Sequence, residues 1–139
     1  LVMDTTIASR AFSFLGEGFD PNIFNIYAIA GKGVSATDLE KALEKQIDLI
    51  ATDGVTELEL QKVKNQKLME FYRSLETING KANSLGTYDV FFGDYRRMFE
   101  APKLYEKVTT EDIKRVAAKY FTERNRTVGY LLPEKETSK

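Results

Sequence analysis

The spacing of apolar residues divides the chain into two strand-like stretches, a run of helical ones and a closing strand-like stretch. Residues 7–15 mix Ala11, Phe12, Phe14 and Leu15 with Ser9, Arg10 and Ser13, an imperfect alternation that suits a strand better than a helix. Gly16-Glu17-Gly18-Phe19-Asp20-Pro21-Asn22 then collects two glycines and an Asp-Pro step, which favour reversal of the chain. From Ile23 to Ala30 the residues are β-branched, aromatic or small, with Phe24, Ile26 and Ala28 on one face and Tyr27 and Ile29 on the other. The two stretches predict an antiparallel hairpin.

Helical signals follow. After Gly31-Lys32-Gly33, Ser35 with Asp38 opens a helix carrying Leu39, Leu43, Ile47 and Ile50 on its apolar face, and Asp53-Gly54 stops it. Thr56 with Glu59 opens the longest helix, with Leu60, Val63, Leu68, Phe71, Leu75 and Ile78 along it until Asn79-Gly80 interrupts. Residues 82–92 read as a kinked continuation weakened at Gly86, Gly93-Asp94 breaks it, and Tyr95 to Phe99 form a short helical turn before Ala101-Pro102. Thr109 with Asp112 caps a last helix whose inner face holds Ile113, Val116, Ala117 and Tyr120, and residues 126–132 close as a strand before Pro133.

This order contains no repeated strand-helix-strand unit, so it predicts an α+β two-layer sandwich, a mostly antiparallel sheet with helices packed on one face. Residues 1–133 are expected to form a single α+β domain and 134–139 a polar, frayed tail. Three strands are few for this many helices. The chain also opens without an initiator methionine and enters a strand almost at once, so it reads as a segment of a longer protein whose further strands lie upstream.

Composition narrows the chemistry. Among the 139 residues there is no histidine and no cysteine, which excludes disulfides, thiol catalysis, histidine-based triads and any zinc site of the usual ligand types. Carboxylates remain. Glu57 and Glu59 do not share a helix face, and Glu40 with Glu44 can, but such a pair reads as solvated surface rather than a metal site. Gly16-x-Gly18 and Gly31-x-Gly33 lack the setting of a phosphate loop and read as turns. With 20 basic and 21 acidic side chains, the chain has no electrostatic reason to approach nucleic acid. No apolar run reaches the ~20 residues of a membrane span, and Leu1-Val2-Met3-Asp4 has no basic region or long apolar stretch of a signal peptide. Tyr88, Phe91, Phe92, Tyr95 and Phe99 read as core packing rather than a ligand surface, and the adjacent Arg96-Arg97 as a solvated pair. Arg10, inside a predicted strand, faces either a cavity or a protected sheet edge.

The order of several motifs carries a resemblance. Asp20-Pro21-Asn22-x-Phe24-x-Ile26-Tyr27-Ala28 is followed by Asp53-Gly54-Val55-Thr56-Glu57-x-Glu59-Leu60-Gln61-Lys62-x-Lys64-Asn65-Gln66. Then come Gly80-Lys81-Ala82-Asn83-Ser84-Leu85-Gly86, Gly93-Asp94-Tyr95-Arg96 and Val108-Thr109-Thr110-Glu111-Asp112-Ile113-x-Arg115-Val116-Ala117, with Tyr120-Phe121 and Asn125-Arg126-Thr127-Val128 closing the series. Across nearly the whole chain this resembles the second, non-zinc half-domain of insulinase/pitrilysin-type zinc peptidases, peptidase family M16.

The resemblance implies paired α+β half-domains around a peptide-holding chamber, with an inverted His-x-x-Glu-His zinc motif in the other half. Zinc is then expected in the absent N-terminal half or in a partner, and no cofactor in this chain. The implied partners are the zinc-bearing half-domain or partner subunit and a peptide substrate. Family members also contact substrate through an Arg and a Tyr. Aligned here, the Arg falls upstream of Leu1 and the Tyr near Ser9, so the pair does not carry over; the neighbouring Arg10 is the substrate-binding candidate. The expected function is a non-catalytic, substrate-enclosing C-terminal domain of a zinc metalloendopeptidase. A catalytically inactive scaffolding or chaperone-like subunit is the alternative, and a self-associating fragment is a third reading, because an uncovered half-module exposes apolar surface. For localisation, the resemblance suggests the bacterial periplasm, with the cytoplasm as the alternative.

Overall fold

The computed structural model describes residues 6–16 and 18–132; the opening Leu1-Val2-Met3-Asp4, Glu17 in the predicted turn, Pro133 and the 134–139 tail lie outside them. Strands β1 (Ala8–Leu15) and β2 (Phe24–Ala30) pair antiparallel as the alternation predicts. Five α-helices follow: α1 (Ala36–Thr52), α2 (Glu57–Ser74), α3 (Ile78–Phe92), α4 (Ala101–Glu106) and α5 (Thr110–Tyr120). A 3₁₀ helix, Tyr95–Glu100, separates α3 from α4, and a second, Glu123–Asn125, follows α5. The architecture is α+β, as predicted.

Local chemistry sets most helix ends. The Ser35 hydroxyl accepts the Asp38 N–H at 3.1 Å, and Gly54, at φ 84, terminates α1 by donating to Leu49 and Ile50 carbonyls. Thr56 and Thr109 form full capping boxes: each hydroxyl accepts the N–H three residues on, and the Glu59 or Asp112 carboxylate accepts the Thr N–H in return. The Thr56 backbone N–H, then its hydroxyl, holds the Glu59 carboxyl below the usual range. For Asp112 the Arg115 guanidinium lowers it most, followed by the Thr109 N–H and hydroxyl.

Because these folded-state pKa values are depressed, the capping stabilisation is present above the unfolded carboxylate pKa, about 4, and is lost as pH falls through the folded values. Hydrogen exchange in an acid titration should therefore show the first turns of α2 and α5 opening below about pH 4. Glu59→Gln should flatten this response in α2 and leave it in α5; an acid response in α2 unchanged by the substitution would contradict it.

Three features depart from the sequence reading. First, α2 stops at Ser74 rather than running to Asn79-Gly80, and residues 82–92 are not its kinked continuation. Thr77 starts a new helix, its hydroxyl accepting the Gly80 N–H at 3.0 Å, so Asn79 and Gly80 sit in the first turn of α3. Second, Ala101-Pro102 begins a helix, since proline is tolerated in a first turn where its missing N–H would be unpaired anyway. The Lys64 ammonium donates to the Glu106 carbonyl at 3.0 Å, tying α2 to the end of α4. Third, 126–132 is not a strand. Arg126 has extended dihedrals, but no ladder forms there, because the segment lies along neither open edge of the β1–β2 pair.

The core is small. Ala8, Leu39, Leu60, Met98, Ala101 and Ala117 are buried, while Leu43, Ile47, Leu68, Phe71 and Ile113 are half-buried. Val63, Ile78, Val116 and Tyr120, placed on inner faces by periodicity, are exposed. α1 packs on β2 and on α5, and α2 contacts α3 and α4, so the helices link into one layer behind the hairpin. No helix among the described residues is long and apolar enough to cross a membrane.

Candidate functional site

The hairpin has two unlike faces, and strand parity explains both. Ala11, Ser13, Phe24 and Ile26 face the helices and, with Phe12 between them, Ile47 and Ile50 of α1 and Phe121, line an open groove of about 320 Å³. Phe24 meets Phe121 with ring centroids 5.1 Å apart. On the opposite face Arg10 pairs with Ile29, Phe12 with Tyr27 and Phe14 with Asn25. There the Tyr27 ring stacks between Phe12 and Phe14 at centroid distances of 5.3 and 5.8 Å, nearly parallel to both. All three rings are exposed to between 43 and 50%. A stacked row of this kind, on a sheet face that no helix covers, is a surface built for contact.

A bulge fixes what stands at the end of the row. Ala8 pairs with Ala30 but Arg10 with Ile29, so Ser9 is an extra residue in β1, and its hydroxyl donates to the Ile29 and Ala30 carbonyls at 3.2 and 3.3 Å. The extra residue breaks the parity that would put Ala8 beside Arg10, Phe12 and Phe14. Ala8 turns inward, 1% exposed, and Arg10 stays on the aromatic face with its guanidinium carbon 5.3 Å from the centre of the Phe12 ring. Among the described residues Arg10 has no carboxylate partner. Of the two placements that the sequence allows for Arg10, the structure puts it on a strand with an open edge, exposed on the aromatic face rather than in a cavity.

The other candidates fall elsewhere. Glu40 and Glu44 are not a solvated pair. Glu44 takes an ion pair from Arg126 at 2.6 Å and Glu40 accepts the Tyr130 hydroxyl, so α1 clamps the 126–132 segment. That hydrogen bond, followed by desolvation, raises the Tyr130 pKa. Glu57 accepts the Thr110 hydroxyl at 3.2 Å across the α2–α5 junction. No group of three or more carboxylates among the described residues could hold a metal ion.

The aromatic set around α3 divides. Phe91 packs on Phe19 of the hairpin loop at 4.8 Å, whereas Phe92, Tyr95 and Phe99 are exposed and not core. Tyr88 and Phe92 line a shallow depression of about 200 Å³ with Leu104 and Tyr105, smaller than a typical ligand site. Arg96 pairs with Asp94 at 2.9 Å, lowering the Asp94 carboxyl and raising its own pKa, and Arg97 lies over Phe92. Both arginines are exposed, as expected. The sequence reading missed the aromatic row on the hairpin, although the two-residue spacing of Phe12 and Phe14 carries the signal for it. What alternation could not give was the bulge.

Solved structures share this α+β fold. A protease from Helicobacter pylori superposes on 89% of this chain and 30% of its own length with a TM-score of 0.79 and 23% identity. An inactive peptidase domain from Bordetella parapertussis superposes on 96% of this chain and 73% of its own with a TM-score of 0.75 and 19% identity. Identities at that level establish the fold.

In sequence the chain is similar to the zinc protease PqqE of Helicobacter pylori, 26% identical over 133 residues, and to the uncharacterised zinc protease YmxG of Bacillus subtilis, 27% identical over 123. These alignments cover 96% and 86% of this chain but 30% and 29% of the relatives, so the chain spans less than a third of their length. No protein-family profile matches it. Relatives and fold together support an M16-like, protease-related domain.

Proposed function

We propose that this chain is the non-catalytic, C-terminal, substrate-enclosing domain of an M16-type zinc metalloendopeptidase, with the zinc held in another segment or subunit. The observation that carries the reading is the open outer face of the hairpin, where Phe12, Tyr27 and Phe14 form one stacked row with Arg10 at its end. Such a face holds an extended peptide by apolar contact while the reacting groups are brought from elsewhere. The chain's surface supports incorporation in something larger. It exposes 11707 Å², whereas a compact monomer of 15.8 kDa exposes about 7,300 Å² by the usual scaling.

In this reading the domain's own residues bind and orient, and hydrolysis belongs to the zinc-bearing half. Peptide contact with the row lowers the mobility of the scissile segment and excludes water from one side of it. The architecture also occurs in a domain described as an inactive peptidase.

The test uses the isolated chain, zinc and a quenched fluorescent peptide. No hydrolysis is expected, while anisotropy should report peptide binding that Tyr27→Ala weakens by about fivefold. Turnover by the chain alone, lost on adding a chelator, would overturn the proposal, as would binding indifferent to Tyr27.

A further inference from the structure

The outer face of the hairpin carries an aromatic row, with Asn25 the polar position opposite Phe14, and is cationic at one end. Arg10 stands on it without a carboxylate partner among the described residues, stacked on Phe12 and held outward by the register that the Ser9 bulge sets. Lys32, exposed in the turn after β2, lies at the same end, because the close of β2 pairs with the start of β1. Asp20, in the loop joining the strands, lies at the other end. An unpaired guanidinium beside an apolar row attracts an anionic group already attached to apolar matter, since desolvation on the row strengthens the pairing. Its planar fork fits a carboxylate in particular.

The spacing then defines the ligand. Arg10, Phe12 and Phe14 follow at every second residue, about 6.6 Å apart along a strand, which is also the same-face repeat of any extended peptide. Taking the chain as a substrate wall, we propose that this face selects extended peptides bearing a carboxylate opposite Arg10 and bulky apolar side chains two and four positions away, seated on the Phe12–Tyr27–Phe14 row. Because the match is to successive same-face side chains, the carboxylate is that of an aspartate or glutamate side chain.

Anisotropy with the full 139-residue chain tests this. The probes are end-blocked peptides in which serine alternates with glutamate, phenylalanine and leucine, their counterparts with glutamine or lysine in place of glutamate, and the glutamine peptide with a free C-terminal carboxylate placed at the same spacing. The glutamate peptide should bind about tenfold tighter than the glutamine one, and Arg10→Gln should abolish that difference. Arg10→Glu should reverse the preference towards lysine. The glutamate probe should also bind tighter than the free-carboxylate probe; the reverse order overturns the side-chain assignment.

Equal binding of the glutamate and glutamine peptides, or an Arg10→Gln loss shared by both, overturns the selection and leaves the wall standing if Phe12→Ala still weakens every probe. If no probe binds, or Phe12→Ala and Tyr27→Ala change nothing, the wall reading itself fails and this inference with it.

Discussion

Alanine at Gly80 should destabilise the protein by about 2–3 kcal/mol, whereas alanine at Gly86, in the same helix, should stabilise it by about 0.5–1 kcal/mol. Intrinsic propensity alone makes both substitutions favourable, because glycine loses the most backbone freedom in a helix. Packing reverses the sign at one of them. A Cβ on Gly80 would lie 1.9 Å from the Ser74 carbonyl oxygen and 2.9 Å from the Thr77 hydroxyl. Ser74 closes α2, and its carbonyl is backbone, so relief requires the end of α2 to move relative to the start of α3. The clash would also disturb the hydrogen bond by which Thr77 caps α3. Around Gly86 nothing lies within 4 Å of the added methyl. Urea unfolding of the two variants beside the parent chain measures both. A Gly80→Ala protein as stable as the parent would mean that the α2–α3 junction is not held as described.

The second large effect is expected at Met98. This side chain is 2% exposed within the 3₁₀ helix that packs on both α3 and α4, and Met98→Ala should cost about 3 kcal/mol through lost contacts and the cavity left behind. Met98→Leu keeps the volume and should cost less than about 1.5 kcal/mol. The neighbouring Phe99 is larger but 57% exposed, and Phe99→Ala should change stability by no more than about 0.5 kcal/mol. The ordering matters more than the sizes: the smaller methionine outranks the phenylalanine beside it. Denaturant midpoints for the three variants decide it, and a Phe99→Ala loss equal to that of Met98→Ala would place the core of this corner elsewhere.

Both predictions concern places where the chain's own sequence misleads. Hydrophobicity and spacing single out Phe99, and Met98 carries no comparable signal, because a six-residue 3₁₀ helix is too short to display a period. Asn79-Gly80 looks like a break, as that pair often is, yet the break falls at Leu75–Glu76 and the glycine serves close approach instead. Likewise the 126–132 stretch has the composition of a strand, with Val128, Tyr130, Leu131 and Leu132, but composition cannot supply the neighbouring edge that makes a strand. Held to α1 by Arg126 on Glu44 and Tyr130 on Glu40, it joins no ladder and leaves those four side chains exposed.

Local order along the chain specifies the hairpin, the two faces of β2, the starts of α1, α2 and α5, the α+β class, and the exclusion of histidine and cysteine chemistry. The structural features among these rest on strand parity or on interactions within about four residues of chain, as a capping threonine with its acid three places on, so neighbouring residues suffice to encode them. Long-range packing settles the rest: the split between α2 and α3, the burial of Met98, the pairing of Glu40 and Glu44 with a segment as far as 90 positions away, and the bulge that turns Ala8 inward while Arg10 faces out. Those depend on which distant groups meet and on how much room they leave. Spacing along the chain carries no record of either.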